Sequence, residues 1–304
     1  MEKKILMDSG YSSLKGCFDG EWFKIPTSIA FASSTGMNVG EGANSYEFEG
    51  EKYIIGEGSI DESSFSTTDF DFKLKFEPLI IKHFRDVLNI SDDAHPEILL
   101  SLALVDWDKK EQLEERCSEF TINGTVIKNR IQCIPQGFGA YHDYVHGRNG
   151  GLHPSTASMI EIGYNTINVV FFEEGVPNKS KSKGHPNHGV SSIIKPFVQF
   201  LENTFSMAFS EQEAIKIFVK NKFIYNGVAE PRVTEQIELL KRQFVKKLFN
   251  SILVSDRKML STSEKVILAG GGVYYLEDTA FPPNVDRVEK PYEFSNVRGM
   301  KIVS

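Results

Sequence analysis

One short pattern occurs twice in this chain, at residues 8–15 (DSGYSSLK) and at residues 161–168 (EIGYNTIN). Each copy follows an apolar run, begins with an acidic residue, passes through a glycine and small polar residues, and leads into a second apolar stretch. This order is typical of two strands joined by a tight turn. A third segment, VILAGGG at residues 266–272, predicts a buried strand that runs into a glycine turn. Together the three segments predict two similar half-sites for one phosphate-bearing ligand.

The turns in these segments have a composition suited to binding phosphate. Glycine permits a positive φ and lets backbone N–H groups approach a phosphate without an intervening side chain, and small hydroxyls add further donors. A carboxylate beside phosphates would repel them, so we expect Asp8 and Glu161 to hold a hydrated Mg²⁺ or to orient water. The alternative is structural, because glycine–hydroxyl turns occur in ordinary β-hairpins and a run of three glycines is often only a flexible turn.

The order of these segments resembles that of the ATPase superfamily that contains actin, heat-shock chaperones and sugar kinases. Within it, most of the chain resembles the ParM-type bacterial actin-like proteins, which segregate plasmids. Residues 8–16 look like the first phosphate loop, residues 26–28 (PTS) like the segment after the second strand, and residues 294–299 (FSNVRG) like a C-terminal signature. Residues 132–137 (QCIPQG) are similar to the strand and helix start that carry the residue orienting the attacking water, here Gln136.

The resemblance implies an α/β protein with the actin-like fold, built from two RNase H-like lobes with a nucleotide cleft between them. Residues 1–144 with 288–304 would form a discontinuous domain I, and residues 145–287 would form domain II. The implied cofactors are ATP or GTP and Mg²⁺. The implied activity is nucleotide hydrolysis coupled to assembly of a filament that segregates or positions cargo such as a plasmid.

The resemblance also implies roles for particular residues. Asp8, Glu161 and Gln136 form the implied catalytic set, in which the two carboxylates hold Mg²⁺ through water and the amide positions the attacking water. Lys15 is expected to pair with the β- or γ-phosphate. The implied nucleotide-binding residues are Gly10, Ser12, Ser13, Lys15, Gly163, Tyr164, Asn165, Thr166, Gly270, Gly271, Gly272 and Val273, of which the last four face the adenosine.

Two positions depart from the family pattern. Glu161 and Asn168 stand where the family usually has aspartate. Both changes bear on the rate of hydrolysis, whereas backbone donors at the glycine turns do not depend on them. A non-hydrolysing nucleotide-bound scaffold is therefore an alternative to a hydrolysing filament. A small-molecule kinase of the same superfamily is a further alternative, although no motif supplies its acceptor-site aspartate.

Composition and charge limit the partners. With 304 residues, of which 40% are hydrophobic, the chain is long and apolar enough for two lobes or for a single large α/β unit. A net charge of −7 argues against direct nucleic-acid binding, so an adaptor protein is expected to make any link to DNA. The N-terminal apolar run is too short for a signal peptide, and the longest apolar stretch, residues 98–105, is too short for a membrane span. We therefore expect a cytoplasmic protein that self-associates and has no membrane partner.

Periodicity predicts several elements outside the motifs. A helix is expected to open at Glu77-Pro78, because proline is tolerated in the first helical turn. A hairpin is expected to turn at Asn123-Gly124. Further helices are predicted at residues 108–118, 193–205 and 211–220 and from near Thr234, the last as the longest in the chain.

Overall fold

The protein is an assembly of mixed sheets and helices. The computed structural model describes residues 4–32, 45–59, 69–249, 254, 256–276 and 281–304. The strands are β1 (Lys4–Ser9), β2 (Ser13–Phe18), β3 (Glu21–Pro26), β4 (Ile29–Phe31), β5 (Ser45–Phe48), β6 (Glu51–Ile55), β7 (Glu97–Leu102), β8 (Glu119–Ile122), β9 (Thr125–Lys128), β10 (Arg130–Pro135), β11 (Thr156–Ile162), β12 (Ile167–Glu173), β13 (Val176–Pro177), β14 (Lys183–His185), β15 (Ile224–Tyr225), β16 (Val228–Ala229), β17 (Lys265–Ala269) and β18 (Val285–Arg287). The α-helices are α1 (Phe70–Val87), α2 (Lys110–Ser118), α3 (Phe138–Gly147), α4 (Ser191–Phe205), α5 (Glu211–Lys220), α6 (Pro231–Lys247), α7 (Arg257–Thr262) and α8 (Ser295–Val303).

The chain divides into two compact units. Unit 1 comprises Met1–Asp143 and Asn296–Ser304, and unit 2 comprises Tyr144–Ser295. The main sheet of unit 1 has the strand order β10-β7-β1-β2-β3. Strands β1, β7 and β10 run parallel, whereas β1, β2 and β3 form an antiparallel meander. Two smaller sheets, β4-β6-β5 and β8-β9, complete unit 1.

The central strand β1 is buried because both faces of its sheet are covered. Ile5 and Met7 belong to a large apolar cluster with Phe84 of α1, whereas Leu6 packs in a second cluster with Val297 of α8. An unbroken apolar run is the pattern expected of a parallel strand covered on both faces. The end of β1, where the first predicted site begins, is therefore fixed by packing from both sides.

Unit 2 repeats this arrangement. Its main sheet has the order β13-β12-β11-β17-β18, and β14 also pairs with β12. Strand β11 pairs antiparallel with β12 and parallel with β17, as β1 does with β2 and β7. The two hairpins predicted from the repeated pattern are therefore present, and they occupy the same place in their respective sheets.

The predictions of elements outside the motifs are mostly confirmed. Helices α2, α4 and α5 lie where they were predicted, and β8 and β9 turn at Asn123-Gly124. The prediction of a helix from near Thr234 is wrong by three residues at its start, since α6 begins at Pro231. None of the described helices is both long and apolar enough to cross a membrane.

The predicted start of α1 at Glu77-Pro78 is also wrong. The helix begins at Phe70, where the Asp69 side chain caps it by accepting a hydrogen bond from the Phe72 N–H at 2.9 Å. Pro78 lies inside the helix, where it cannot donate to the carbonyl of Leu74 four residues earlier. The Arg116 Nε–H donates to that carbonyl at 3.4 Å instead. A side chain from α2 thus replaces the helical hydrogen bond that Pro78 removes.

Candidate functional site

The two predicted phosphate loops close with the same backbone hydrogen bond. The Gly10 N–H donates to the carbonyl of Ser13 (3.2 Å), and the Gly163 N–H donates to the carbonyl of Thr166 (2.9 Å). Neither glycine has a positive φ, so the expected reason for a glycine here is wrong. The requirement is for space, since a Cβ would lie 3.2 Å from the Lys15 Nζ in the first loop and 3.1 Å from the Thr166 carbonyl oxygen in the second.

Asp8 is the centre of a buried polar cluster at the end of β1. Its Oδ1 accepts hydrogen bonds from the Ser101 hydroxyl and from Gln136 Nε2, the latter at 3.1 Å. These partners lie at the ends of β7 and β10, which run parallel to β1, so the carboxyl ends of three strands bring the side chains together. Within the described part of the chain, Oδ2 accepts no hydrogen bond. The predicted pair of Asp8 and Gln136 thus lies together, with Ser101 as a third member.

Two side chains hold the carbonyl groups of the first loop. The Thr27 hydroxyl donates to the carbonyl of Gly10 at 2.9 Å, and the Lys73 ammonium donates to the carbonyl of Ser9 at 2.7 Å. Because the C=O and N–H of a trans peptide point in opposite directions, the Tyr11 N–H points away from Thr27. Thr27 belongs to the predicted PTS segment, whereas Lys73 was missed because the helix that carries it was predicted to begin after it, at Glu77.

Lys73 is instead nearly buried and ion-paired within α1. Its Nζ lies 3.0 Å from Glu77 Oε2, and the two side chains are only 9% and 1% exposed. Burial would lower the pKa of Lys73, but the nearby negative charge of Glu77, with smaller contributions from Tyr11 and Asp8, holds that pKa above its usual value. The ammonium group behind the first loop therefore stays charged.

The first loop carries three side chains with hydrogen-bond donors, namely Lys15, Ser12 and Ser13. Lys15 pairs with Asp8 in the strand register, and its Nζ donates to the Ser13 carbonyl at 3.0 Å. In the described part of the chain the Ser12 and Ser13 hydroxyls make no hydrogen bond. Three side chains that were predicted to bind phosphate therefore place their donor groups around one turn.

The second loop is held by the chain segment that opens α4. Three consecutive N–H groups donate to three consecutive loop carbonyls, in the pairs Gly189 to Asn165 (3.0 Å), Val190 to Gly163 (3.1 Å) and Ser191 to Tyr164 (2.7 Å). The Tyr164 side chain is fixed separately, because its hydroxyl donates to Glu211 at the start of α5. Burial first, and then this hydrogen bond, raise the pKa of Tyr164 well above its usual value.

Glu161 and Asn168, the two departures from the family pattern, form one interacting pair. They are opposite each other in the register of β11 and β12, and Asn168 Nδ2 donates to Glu161 Oε2 at 3.3 Å. Both side chains are buried. A second carboxylate at residue 168 would repel the first, whereas the amide supplies a hydrogen-bond donor. Asn168 occupies the place in unit 2 that Lys15 occupies in unit 1.

The glycines after β17 are required by close packing. Gly270 has a φ of +84°, and a Cβ there would lie 2.6 Å from the carbonyl oxygen of Ile162. A Cβ on Gly272 would lie 2.7 Å from Ile162 Cβ, whereas Gly271 has ordinary space around it. The Val273 side chain is fully buried, so it offers a ligand no surface. The run is therefore a fixed turn packed against the end of β11, and the flexible-turn alternative is wrong.

The C-terminal signature lies against the start of α3 within unit 1. Asn296 Oδ1 accepts hydrogen bonds from the N–H groups of Gly137 (3.1 Å) and Ala140 (3.2 Å), and so caps α3 from a distant part of the sequence. Gly299 of α8 crosses Gly139 of α3 so closely that a Cβ on Gly299 would overlap the Gly139 backbone. The signature therefore fixes the helix that follows β10.

Asp8 and Glu161 can supply some of the oxygen ligands of a metal ion but not a complete set. No group of three or more His, Cys, Asp and Glu side chains in the described ranges could hold a metal by itself. Mg²⁺ commonly needs only one or two carboxylates, because waters and ligand phosphates complete its octahedron. Asp8, with Oδ2 accepting no hydrogen bond within the described chain, and the buried Glu161 fit that role.

Comparisons with known proteins give two family matches and no match among curated proteins. Residues 7–139 match the family model described as the N-terminal domain of actin-like proteins. Residues 159–280 match the one described as the C-terminal part of archaeal MreB-like actin homologues. These two ranges contain both predicted phosphate loops and the glycine run after β17.

Solved structures with the same fold include both archaeal and bacterial proteins. A crystal structure of an archaeal actin homologue has a TM-score of 0.75 at 16% identity, covering 98% of this chain and 98% of its own. A 15-stranded ParM filament from Clostridium botulinum has a TM-score of 0.75 at 16% identity, covering 99% and 98%. Bacillus thuringiensis ParM with ATP has a TM-score of 0.66 at 17% identity, covering 99% and 98%. The actin-like fold predicted from the sequence is confirmed, and the two halves of the chain are each similar to a family of actin-like proteins.

Proposed function

We propose that this protein binds ATP or GTP together with Mg²⁺ and assembles into filaments in response to the nucleotide. The observation that carries the proposal is the repeated loop, in which a turn with the same closing hydrogen bond follows a buried carboxylate in each unit. In both loops the carbonyl groups are held by other parts of the chain, which leaves N–H groups directed away from them. Support for assembly comes from the ParM filament, and support for a nucleotide comes from ParM with ATP.

Separate sets of residues are proposed to bind the phosphates, to contact the nucleoside and to hold Mg²⁺. Gly10, Ser12, Ser13 and Lys15 would bind phosphate oxygens from unit 1, and Gly163, Tyr164, Asn165 and Thr166 would do so from unit 2. The backbone of the glycine run, residues 270–272, would contact the nucleoside. Asp8 and Glu161 would hold Mg²⁺ through its waters. When bound, the ion would neutralise charge on the phosphates.

Gln136 is proposed to orient the attacking water. Its Nε2 donates to Asp8, so the amide is anchored at one end while its oxygen is the group proposed to accept a hydrogen bond from water. A neutral amide can position water but cannot act as a general base. We therefore expect hydrolysis to be slow, with filament growth and collapse moving cargo in the cytoplasm through an adaptor bound to DNA.

A second candidate is a filament or scaffold that binds nucleotide without hydrolysing it. The pairing of Asn168 with Glu161 favours it, because the amide already occupies one oxygen of the carboxylate proposed to hold Mg²⁺. Nucleotide binding through the loop backbones would survive this arrangement.

The deciding experiment follows light scattering and phosphate release in one cuvette after addition of Mg-ATP or Mg-GTP. A rise in scattering that falls as phosphate appears supports the hydrolysing filament. A rise that persists without phosphate supports the scaffold. Phosphate transfer that needs an added small acceptor, with no change in scattering, would identify a kinase and refute filament assembly.

Asp8→Asn tests the proposed site with little change in shape. The amide oxygen can still accept from Ser101, but the charge that would attract the ion is gone. We expect the nucleotide-dependent scattering to be lost. Asp108→Asn, the same exchange at an exposed position of unit 1, is the matched control and should behave as the unmodified protein. Normal assembly by Asp8→Asn would refute this placement of the ion.

A further inference from the structure

Gly189 lies where no residue with a side chain would fit. A Cβ on Gly189 would lie 2.5 Å from the carbonyl oxygens of both Gly163 and Tyr164. Both atoms belong to the backbone of the second loop, so neither can move aside as the end of a flexible side chain could. Gly189 has no positive φ, so its backbone conformation alone would accept alanine. The requirement for glycine here comes only from the close approach of two backbone segments.

This close approach determines the direction of the peptide groups in the second loop. The carbonyls of Gly163, Tyr164 and Asn165 all accept hydrogen bonds from the segment that opens α4. In a planar trans peptide the N–H of the next residue points opposite to the carbonyl. The N–H groups of Tyr164, Asn165 and Thr166 therefore all point away from α4, in the same general direction. Consecutive N–H groups that share a direction place several donors before the same region and favour an anion there.

Gly189 is itself held in place by α4. Its carbonyl accepts hydrogen bonds from the Ser192 N–H at 3.1 Å and from the Ser192 hydroxyl at 2.8 Å. The loop therefore rests on a residue that is anchored to the first turn of a long helix. Displacement of Gly189 or of the first turn of α4 would turn the loop peptides away from their common direction.

We propose that Gly189 is a positioning residue for the terminal phosphates of the nucleotide. Its missing side chain lets the start of α4 hold the carbonyls of the second loop, which aims three N–H groups at the phosphates. This inference rests on the proposed function, since it presupposes that the second loop binds a nucleotide. It adds a residue outside all the predicted motifs and assigns it to phosphate recognition and not to recognition of the nucleoside.

The test compares Gly189→Ala with the matched control Gly147→Ala. A Cβ on Gly147, the last residue of α3, would meet nothing closer than 3.8 Å. For each folded protein, dissociation constants are measured by calorimetry with Mg²⁺ for whichever pair the unmodified chain binds, ATP with AMP or GTP with GMP. We expect Gly189→Ala to weaken triphosphate binding by about 10- to 100-fold, the range expected from overpacking, and to leave monophosphate binding unchanged. Gly147→Ala should change neither.

The ratio of the two affinities separates positioning from general damage. Equal weakening of both ligands, or no weakening of the triphosphate, would overturn the inference while leaving the proposed function standing. If the unmodified chain binds neither triphosphate, the proposed function fails and this inference fails with it. If Gly189→Ala does not fold, Ser192→Ala removes one hydrogen bond to the Gly189 carbonyl and should weaken only the triphosphate, by about two- to tenfold. An unchanged ratio in Ser192→Ala would then overturn the inference.

Discussion

Replacing Gly299 by alanine should destabilise unit 1, although alanine is the better helix former. Gly299 lies inside α8, where its replacement by alanine would by itself stabilise the helix by ~1 kcal/mol. The added Cβ would, however, lie 2.8 Å from Gly139 Cα and would overlap the carbonyl group of that residue. The two backbones must then move apart until ordinary contact, at 3.4 Å or more, is restored. For the change in the free energy of unfolding, helix propensity therefore predicts a gain, whereas packing predicts a loss.

Packing should determine the sign. Overpacking a well-packed site typically costs ~1–3 kcal/mol, and the upper end applies where both partners are backbone. Separation of the helices would also stretch the two hydrogen bonds that Asn296 accepts from α3, each contributing ~1 kcal/mol. It would loosen the contacts of Val297 and Met300 with β1 and β7 as well. After subtracting the gain in propensity, we expect a net loss of ~3 kcal/mol in the free energy of unfolding.

Urea denaturation followed by tryptophan fluorescence can measure this loss in unit 1. Both tryptophans of the chain, Trp22 and Trp107, lie in unit 1, so their emission reports on that unit. Gln112→Ala, at an exposed position of α2 in unit 1, is the control and should leave the midpoint unchanged or slightly raised. A Gly299→Ala protein as stable as the unmodified chain would refute the close crossing of α3 and α8.

Three further outcomes follow from buried groups in unit 1. Lys73→Met should cost ~3–5 kcal/mol because it leaves the Glu77 charge buried and unpaired, and the double variant with Glu77→Met should recover most of that loss in urea melts. Burial raises the pKa of Tyr11 to about 12, so its contribution to stability is complete below pH 10 and is lost as the pH rises toward 12. Urea melts across that range should therefore show a smaller decline for Tyr11→Phe than for the unmodified chain. Asn296→Ala should cost ~2 kcal/mol because it leaves two helix N–H groups without an acceptor, whereas Asn296→Asp, which keeps an oxygen there, should cost less in the same assay.

The sequence predicts those parts of the fold that short-range patterns determine. The apolar runs, the turn residues and their repetition predict both hairpins, because each hairpin is closed by residues that lie within one stretch of sequence. The start of α1 was not predictable in this way, because the Leu74 carbonyl that Pro78 leaves without its helical donor is satisfied by Arg116 of α2. Tertiary contacts of this kind have no signature in the local sequence.

The same distinction separates the predicted from the missed residues of the candidate site. Asp8 and Glu161 stand out because an acid ends an apolar run in each repeated pattern. Ser101 gave a weaker signal, as one hydroxyl residue near the end of the apolar strand β7. Lys73 and Gly189 gave none, since each acts on the backbone of a loop that is distant in sequence. Residues that hold a loop from behind are thus found only once the fold is known.

The repeated architecture makes the difference between the two loops informative. In unit 1 the acid that ends the first strand of the hairpin pairs in register with a lysine, whereas in unit 2 the corresponding acid pairs with an amide. Asp8 therefore has a cation opposite it in the register, whereas Glu161 has the neutral donor Asn168 opposite it. If both loops bind phosphates, unit 1 supplies a positive side chain at this register position, whereas unit 2 supplies an amide there and gains more from a cation brought with the ligand. The divergence at this one register position therefore makes unit 2 the half whose phosphate binding should depend more strongly on Mg²⁺.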